Sequence, residues 1–238
     1  MYLEISIVSL LSFTIGVLAF AMLNKTSTKE KAKDRNTKLV TYFVITTLMY
    51  VSIIFVPLLL YILSSFLIFI ALRELVSASE QGSIRPLPSI MAGGIILYFF
   101  AQFILNTPPE NILFIYYIIV HFDGFCQVIG EAIGRRKLIS KISPSKTWEG
   151  FIGGYLAAII AGFLIYKWND PIKTMTEVSL IVFSGFLGDA LASWYKRQCG
   201  VKNYSNLIPG HGGVLDRFDS FFMAGAIFQA IQWFYSHP

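Results

Sequence analysis

Long apolar runs separated by short polar segments make up most of this 238-residue chain. Six of the runs are each long enough to cross a bilayer as one helix, namely 1–23, 87–105, 110–134, 149–167, 176–195 and 214–235. Residues 39–75 are too long for one span, and Pro57, which favours the start of a helix, divides them into 39–55 and 57–75. The pattern therefore predicts an all-α, polytopic integral membrane protein with about eight transmembrane helices.

Composition supports this prediction. The chain is 55% hydrophobic and only 14% charged, and its mean hydropathy is +0.63, whereas a soluble domain has about a quarter charged residues. The first apolar run is too long for a signal-peptide core and no small-residue cleavage site follows it, so we expect a retained helix. Cys126 and Cys199 form no metal-binding or redox spacing, which makes a disulfide scaffold unexpected.

The basic residues predict the orientation in the membrane. Counting residues at the membrane ends with their nearest loops, the segments 24–38, 76–86, 135–148 and 196–213 hold every Lys and Arg except Lys167 and Lys173. Because cytoplasmic loops are enriched in Lys and Arg, both termini are predicted outside and these four loops inside. The net charge of +5 is then a topology signal, and no nucleic-acid partner is expected.

The second half of the 110–134 run is unusually polar. Asp123, Gln127 and Glu131 recur every four residues and so share one face of the predicted helix. Acids at membrane depth are costly and usually face a polar cavity or a partner. We expect Asp123 and Gln127 to line a functional cavity, while proximity to the interface alone accounts for Glu131.

Two more features lie before and within the next span, 149–167. Residues 135–150 alternate cations with Ser143, Ser145 and Thr147, and such a turn can bind a polyphosphate by charge and hydrogen bonds. Positive-inside topology alone would explain the charges, but not the order of the hydroxyls. Gly153 and Gly154 then predict close packing of the following helix against another.

The strongest concentration of candidate chemistry lies in residues 185–220. Asp189 stands inside an apolar run, and Ser193, Lys196 and Arg197 follow it on the same helical face. Asp189 could serve as a metal ligand, or it could pair with a nearby cation and merely lock the helix bundle. The cations could neutralise a triphosphate and a lipid phosphate.

The glycine-rich segment 209–213, PGHGG, and the start of the last predicted helix complete this region. Asp216 and Asp219 are three residues apart on one helical face, where they could bind Mg²⁺ or cap the helix. The segment could offer exposed backbone N–H groups of Gly212 and Gly213 to a phosphate. His211 could act as an acid or base, or simply form a hydrogen bond. Lys202 and Arg217 add further positive charge to the region.

Three sequence blocks resemble the signatures of the phosphatidate cytidylyltransferases, also called CDP-diacylglycerol synthases. These blocks are S-x-x-K-R from Ser193, P-G-H-G-G-x-x-D-R-x-D from Pro209, and K-I-S-P-x-K-T-W-E-G from Lys141 to Gly150. The resemblance covers about residues 120–225. It implies Mg²⁺-dependent attack of a lipid phosphate, phosphatidate, on the α-phosphorus of CTP, which yields a CDP-lipid and pyrophosphate.

The resemblance also implies roles for individual residues. It makes Asp189 and Asp216 metal ligands with Asp219 close by, and it makes Ser193, Lys196 and Arg197 phosphate contacts. Nucleotide or lipid phosphate would be held by Lys141, Ser143, Lys146 and Thr147. On this interpretation 1–110 is an N-terminal group of helices and 111–238 a catalytic region within a single membrane domain. The expected setting is a bacterial cytoplasmic membrane with the site facing the cytoplasm, and a homodimer is an open expectation.

Other functions remain open at this stage. A CTP-using lipid kinase or a cytidylyltransferase for an isoprenoid lipid phosphate would need similar residues. A non-catalytic protein that binds CTP or anionic lipid is supported only by Asn203, where the family signature usually has Asp. A transporter would predict paired, repeated halves, and the sequence shows no such repeat.

Overall fold

The structure is a computed structural model that describes residues 1–81, 87–166 and 169–236. Its helices, in chain order, are α1 (Tyr2–Lys25), α2 (Lys29–Ile54), α3 (Pro57–Gln81), α4 (Leu87–Asn106), α5 (Pro109–Ile133), α6 (Trp148–Tyr166), α7 (Pro171–Gln198) and α8 (Leu215–Ser236). Two short strands, β1 (Lys137–Ile139) and β2 (Ser143–Thr147), form an antiparallel hairpin between α5 and α6.

Each predicted span corresponds to one of these helices, and the all-α polytopic membrane fold is confirmed. Within the described residues, α1 to α7 have the length and apolar composition needed to cross a membrane. Helix α8 is not in that set. Its first turns carry Asp216, Arg217 and Asp219, and its second half carries Gln229 and Gln232, so its hydropathy is lower.

The predicted loops were too long in three places. Helix α2 begins at Lys29, so most of the segment 24–38 is helical, because its Lys, Glu and Ala residues are good helix formers. Helix α3 continues to Gln81 and α7 to Gln198, into segments predicted to be loops. The rest of the 76–86 loop, residues 82–86, lies outside the described part of the chain. Lys167, which the topology prediction used, lies outside it as well.

The chain divides into two compact units. Unit 1 consists of residues 1–40 and 116–183, and unit 2 consists of residues 41–115 and 184–238. The division at residue 110, made on sequence blocks rather than on packing, stays a prediction.

Glycines allow α5 and α6 to approach closely in unit 1. A Cβ atom on Gly154 would lie 2.7 Å from the carbonyl oxygen of Phe122, and one on Gly150 would lie 2.7 Å from the carbonyl oxygen of Cys126. A Cβ on Gly153 would meet the side chain of Ile129. The close packing predicted from Gly153 and Gly154 is therefore confirmed.

Aromatic packing joins α4 and α8 in unit 2. The ring of Phe100 lies 5.1 Å from that of Phe221, and the ring of Phe103 lies 5.7 Å from that of Phe228, measured between centroids. Phe103 comes after Phe100 on α4, and its partner Phe228 comes after Phe221 on α8, so the two helices run in the same direction. A Cβ on Gly225 would lie 2.6 Å from the Phe103 ring, so a larger residue there would separate the helices.

Candidate active site

A buried ion pair joins α7 to the start of α8. The Nζ atom of Lys196 lies 2.6 Å from Oδ1 of Asp216, and the two side chains are only 11% and 5% exposed. The other carboxylate oxygen, Oδ2, accepts hydrogen bonds from the backbone N–H groups of Tyr204 at 2.8 Å and Gly213 at 2.9 Å. Asp216 therefore neutralises a buried cation and also fixes the loop that precedes its own helix.

A second carboxylate, Glu74 of α3, binds the backbone at the start of α8. Its oxygens accept hydrogen bonds from the N–H groups of Val214 at 3.0 Å and Leu215 at 2.8 Å, and from the Ser205 hydroxyl at 2.6 Å. Glu74 is 5% exposed. A Cβ on Gly213 would lie 2.7 Å from the Glu74 carboxyl carbon, so only glycine leaves room for this carboxylate.

These contacts correct the prediction for PGHGG. The N–H groups of His211 and Gly212 donate to the carbonyl oxygen of Ile208 at 3.0 Å, and the next three N–H groups donate to Asp216 and Glu74. The N–H groups of residues 211–215 are therefore not exposed to a phosphate. Gly212 has φ +86°, a backbone conformation that favours glycine, and the loop folds tightly around protein carboxylates instead.

The predicted helical face of α7 is present. The Ser193 hydroxyl donates to Oδ1 of Asp189 at 3.2 Å, and Lys196 lies one turn further along. Gly188 touches α8, because a Cβ there would lie 2.5 Å from the carbonyl oxygen of Asp219. Asp219 itself, and Asp189 through its neighbour Gly188, therefore lie at a close contact between α7 and α8.

The three predicted magnesium ligands, Asp189, Asp216 and Asp219, differ in how well they suit a metal ion. Within residues 1–81, 87–166 and 169–236, no three Asp, Glu, His or Cys side chains gather into a group that could hold a metal ion. The predicted ligands Asp189, Asp216 and Asp219 do not form such a group, and Asp216 pairs with Lys196. Mg²⁺ needs only one or two carboxylates when phosphate oxygens and water supply the rest. Asp189 and Asp219 fit that requirement, and their assignment as ligands stays a prediction.

Tyr204 lies beside both acids of α8. Burial raises the pKa of Tyr204, and the Asp219 and Asp216 carboxylates raise it further. The neutral phenol donates a hydrogen bond to the carbonyl oxygen of Ala192 at 3.0 Å, and its ring lies 5.4 Å from the Lys196 Nζ. A buried, un-ionised ring thus covers one side of the ion pair.

The other predicted site residues of unit 2 differ in their exposure and in their contacts. The guanidinium of Arg217 lies 4.4 Å above the ring of Tyr42 on α2. Arg197 is exposed near the end of α7 and donates to the carbonyl oxygen of Val201 at 3.4 Å. Lys202 is also exposed. His211 is partly buried, and its backbone closes the turn described above.

An apolar cavity of about 170 Å³ lies in unit 2 among α3, α4, α7 and α8. Its wall includes Leu75, Gly93, Ala192 and Met223, together with Tyr204. Asp219 also lines it and is the one charged side chain among its described lining residues. An acid thus lies against a space that hydrocarbon can fill.

In unit 1, the polar face of α5 is tied to the basic segment. Gln127 donates to Glu131 Oε1 at 3.0 Å, and the Arg35 Nε lies 2.6 Å from Glu131 Oε2. The shared face of Gln127 and Glu131 is confirmed, and Glu131 has a specific partner in addition to its position near the interface. Asp123 lies one turn earlier on α5, half-buried.

The predicted phosphate-binding block of unit 1 forms the hairpin and the start of α6. Thr147 is 5% exposed, and its hydroxyl accepts a hydrogen bond from the Gly150 N–H at 3.1 Å, so it caps α6. Glu149 accepts hydrogen bonds from the N–H groups of Arg135 and Arg136. Ser143 pairs with Ile139 in the hairpin. Lys141 is exposed, and Lys146 is half-buried on β2.

A model of the cytidylyltransferase family matches residues 2–235, nearly the whole chain. The chain belongs to the cytidylyltransferase family.

Similar proteins extend the comparison beyond the family model. An uncharacterised protein of Escherichia coli K12, YnbB, is 34% identical over 74% of this chain and 61% of its own length. The phosphatidate cytidylyltransferase of Haemophilus influenzae is 37% identical over 52% of this chain and 46% of its own length. That of Pseudomonas aeruginosa is 43% identical over 44% of this chain and 40% of its own length. This cytidylyltransferase-family chain thus spans about half the length of the curated relatives it matches.

Two residues that organise the candidate active site, Glu74 and Tyr204, were not predicted from the sequence. Neither residue is assigned a role by the sequence patterns described above. A signal existed for Glu74, because it is an acid at the end of an apolar run, where an unpaired charge is costly. Tyr204 stands in a loop without periodicity, and its sequence neighbourhood gave no signal.

Proposed function

We propose that this protein is an integral-membrane enzyme that transfers the cytidylyl group of CTP to a lipid phosphate, phosphatidate, and releases pyrophosphate. The observation that carries the proposal is the position of Asp219, an acid on the wall of an apolar cavity that sits beside the buried Lys196–Asp216 pair. Family membership and the names of the similar proteins support the same reaction.

The cavity has the chemistry needed for the lipid. Its wall of Leu75, Gly93, Ala192 and Met223 favours hydrocarbon next to the glycerol backbone, because apolar surface gains by leaving water. Asp219 lies against this space and would repel a phosphate. Asp189 and Asp219 would hold a Mg²⁺ ion, which would supply positive charge to offset that repulsion.

Lys196 is suited to hold a phosphate. An ammonium group has three N–H donors, and Asp216 takes one of them here. Because Asp216 and the Tyr204 ring fix its position, Lys196 loses little additional freedom when it binds an anionic oxygen. Ser193 positions the Asp189 carboxylate through its hydroxyl.

The proposed chemical step conserves atoms and charge. An oxygen of the lipid phosphate forms a bond to the α-phosphorus of CTP. The bond between that phosphorus and the oxygen leading to the β-phosphorus breaks, and pyrophosphate leaves with the electron pair. The phosphate is already ionised at neutral pH, so no protein base is required.

The setting is part of the proposal. The proposed setting is a bacterial membrane, with the start of α8 on the cytoplasmic side and both termini outside, and the Lys and Arg content of the four segments named above supports this orientation. Protease access to an N-terminal tag in intact cells tests the orientation, since a tag that is cut only after lysis would reverse it. A homodimer remains a prediction.

The decisive experiment measures pyrophosphate release by the purified full chain in mixed micelles with CTP, MgCl₂ and phosphatidate. Release should require both substrates and stop with a chelator. Asp189→Asn and Asp219→Asn should each abolish release in folded protein. Asp34→Asn, which changes a side chain that is 55% exposed on α2, should not.

Other outcomes would overturn the assignment in distinct ways. Release of CDP instead of pyrophosphate would identify a lipid kinase. Pyrophosphate release only with a polyprenyl phosphate would change the lipid. CTP binding without any release would favour a non-catalytic binding protein.

A further inference from the structure

A second cavity of unit 2, of about 880 Å³, lies at the C-terminal ends of α4 and α8. Its wall comes from the segment Tyr98–Asn106 and from the segment Gln229–Ser236. Ser236 is twenty residues beyond Asp216, which is ~30 Å along a helix axis and about the thickness of the hydrocarbon core. The cavity therefore lies at the opposite end of α8 from the candidate active site.

The described part of the wall is rich in carboxamides. Gln102, Asn106, Gln229 and Gln232 line it, and no Lys, Arg, Asp, Glu or His occurs among its described lining residues. Asn106 donates to the Gln102 side chain at 3.0 Å. A phosphate head group would find no cation here, whereas hydroxyl groups would find both donors and acceptors.

One acceptor in this wall is unsatisfied. Oε1 of Gln229 is buried and accepts no hydrogen bond from the described residues, and the residue is only 9% exposed. Leaving a buried acceptor unpaired is destabilising, whereas an apolar residue at this place would carry no such cost. A ligand that donates a hydrogen bond removes the cost, so the ligand needs O–H or N–H groups.

Aromatic side chains surround the opening. Tyr98 is 60% exposed, Trp233 53% and Tyr235 80%. Aromatic residues of this kind anchor proteins at the membrane–water interface. Their faces also pack against the C–H surfaces of glycerol and sugar rings. The opening is therefore placed at the depth of lipid head groups.

From these observations we propose that this cavity binds the uncharged, hydroxyl-bearing head group of a membrane lipid, such as a monoglucosyl diacylglycerol. The volume suits a head group, since ligand pockets commonly measure about 300–1,000 Å³. Gln229 accepts a hydroxyl proton, the other carboxamides contact the remaining hydroxyls, and the aromatic rim holds the glycerol region. This site is separate from the proposed catalytic carboxylates and independent of the reaction they perform.

The test uses the purified full chain in detergent, titrated with monoglucosyl dioleoylglycerol and, in parallel, with dioleoyl phosphatidylglycerol. Thermal unfolding and native mass spectrometry report binding. We expect the neutral glycolipid to raise Tm and remain bound, with the anionic lipid at least tenfold weaker. Gln229→Leu should abolish the glycolipid shift while leaving the lipid-free Tm equal or higher. Gln198→Leu, an exposed glutamine on α7, is the matched control.

Three results would overturn the proposal. Equal shifts with both lipids would show only non-specific acyl binding. A glycolipid shift that survives Gln229→Leu would remove the acceptor from the site. A Gln229→Leu variant that has a lower Tm without lipid and dissociates on size exclusion would show that a second copy of the chain satisfies Gln229.

Pyrophosphate release in phosphatidate micelles should be unchanged in Gln229→Leu, so this test and the activity test fail independently.

Discussion

Two helix starts in this molecule are stabilised in different ways. The start of α6 is completed locally, by the Thr147 hydroxyl and by the Glu149 carboxylate bound to residues 135–136. The start of α8 is completed by Asp216 and by Glu74, which comes from α3, about 140 residues earlier. The carboxylate at the α6 start, Glu149, belongs to that helix itself, whereas Glu74 brings a buried charge from another helix to the helix that carries Asp219. The α8 start thus depends on tertiary contacts, and the α6 start depends on local ones.

Removing the distant carboxylate should have the largest effect. Glu74→Ala leaves the N–H groups of Val214 and Leu215 without acceptors, so the free energy of unfolding should fall by about 2–6 kcal/mol. Thermal unfolding in detergent measures this. Glu80→Ala on the same helix, where the side chain is exposed, is the control. If Glu74→Ala is too unstable to purify, Glu74→Gln should show a smaller loss in the same direction. A wild-type Tm for Glu74→Gln would contradict the role given to this charge.

Breaking the buried ion pair should come next. Asp216→Asn leaves the Lys196 ammonium buried without its counter-charge, at a cost of about 3 kcal/mol. The double variant with Lys196→Met should lose less than the sum of the single variants. The exposed Lys38–Asp34 pair on α2 is the comparison, and the same cycle there should give a coupling of at most about 1 kcal/mol. Equal coupling in the two pairs would show that burial does not strengthen the Lys196–Asp216 pair.

A pair of glycines isolates the contact between the loop and Asp216. Gly200 and Gly212 both have positive φ, +72° and +86°. An added Cβ at Gly200 meets open space, but one at Gly212 would lie 2.7 Å from Asp216 Oδ2. Gly200→Ala should therefore cost about 1 kcal/mol for the backbone alone, and Gly212→Ala measurably more. Chemical unfolding of the two variants side by side gives the difference, and equal costs would argue against a tight Asp216 contact.

The smallest effect should be at the local cap. Thr147→Ala should lower stability by about 1 kcal/mol, the usual cost of removing an N-cap hydroxyl, and Thr147→Ser should restore most of it. Thr176→Ala, at an exposed helical threonine, is the control for the side chain itself. A pyrophosphate-release assay adds a second readout. If Thr147→Ser keeps the stability but raises the Michaelis constant for CTP, Thr147 also contacts the nucleotide, one of the two roles, nucleotide or lipid phosphate, that the family resemblance implies.

The sequence predicted the number and order of the helices because the apolar runs are long, whereas the ends of α2, α3 and α7 extend into polar segments that hydropathy alone assigns to loops. It also predicted which residues share a face of α7, since the spacing of Asp189, Ser193 and Lys196 follows from the helical repeat alone. The pairing of Lys196 with Asp216 and the capping by Glu74 depend on tertiary packing across 20 and about 140 residues. No local pattern encodes such contacts. The N–H groups of PGHGG were misjudged for the same reason.

The bond from Glu74 to α8 also has a consequence for biogenesis. Helix α3 leaves the ribosome long before α8, so Glu74 enters the membrane without the backbone N–H groups that it binds in the finished protein. Until α8 arrives, Glu74 is an acid at the end of an apolar helix and does not yet have the N–H groups of Val214 and Leu215 as partners. Such an acid is costly in a membrane. Arrival of α8 removes that cost and forms the Lys196–Asp216 pair in the same event. Docking of α8 thus completes the hydrogen bonds of Glu74 and the Lys196–Asp216 pair in one step of membrane assembly.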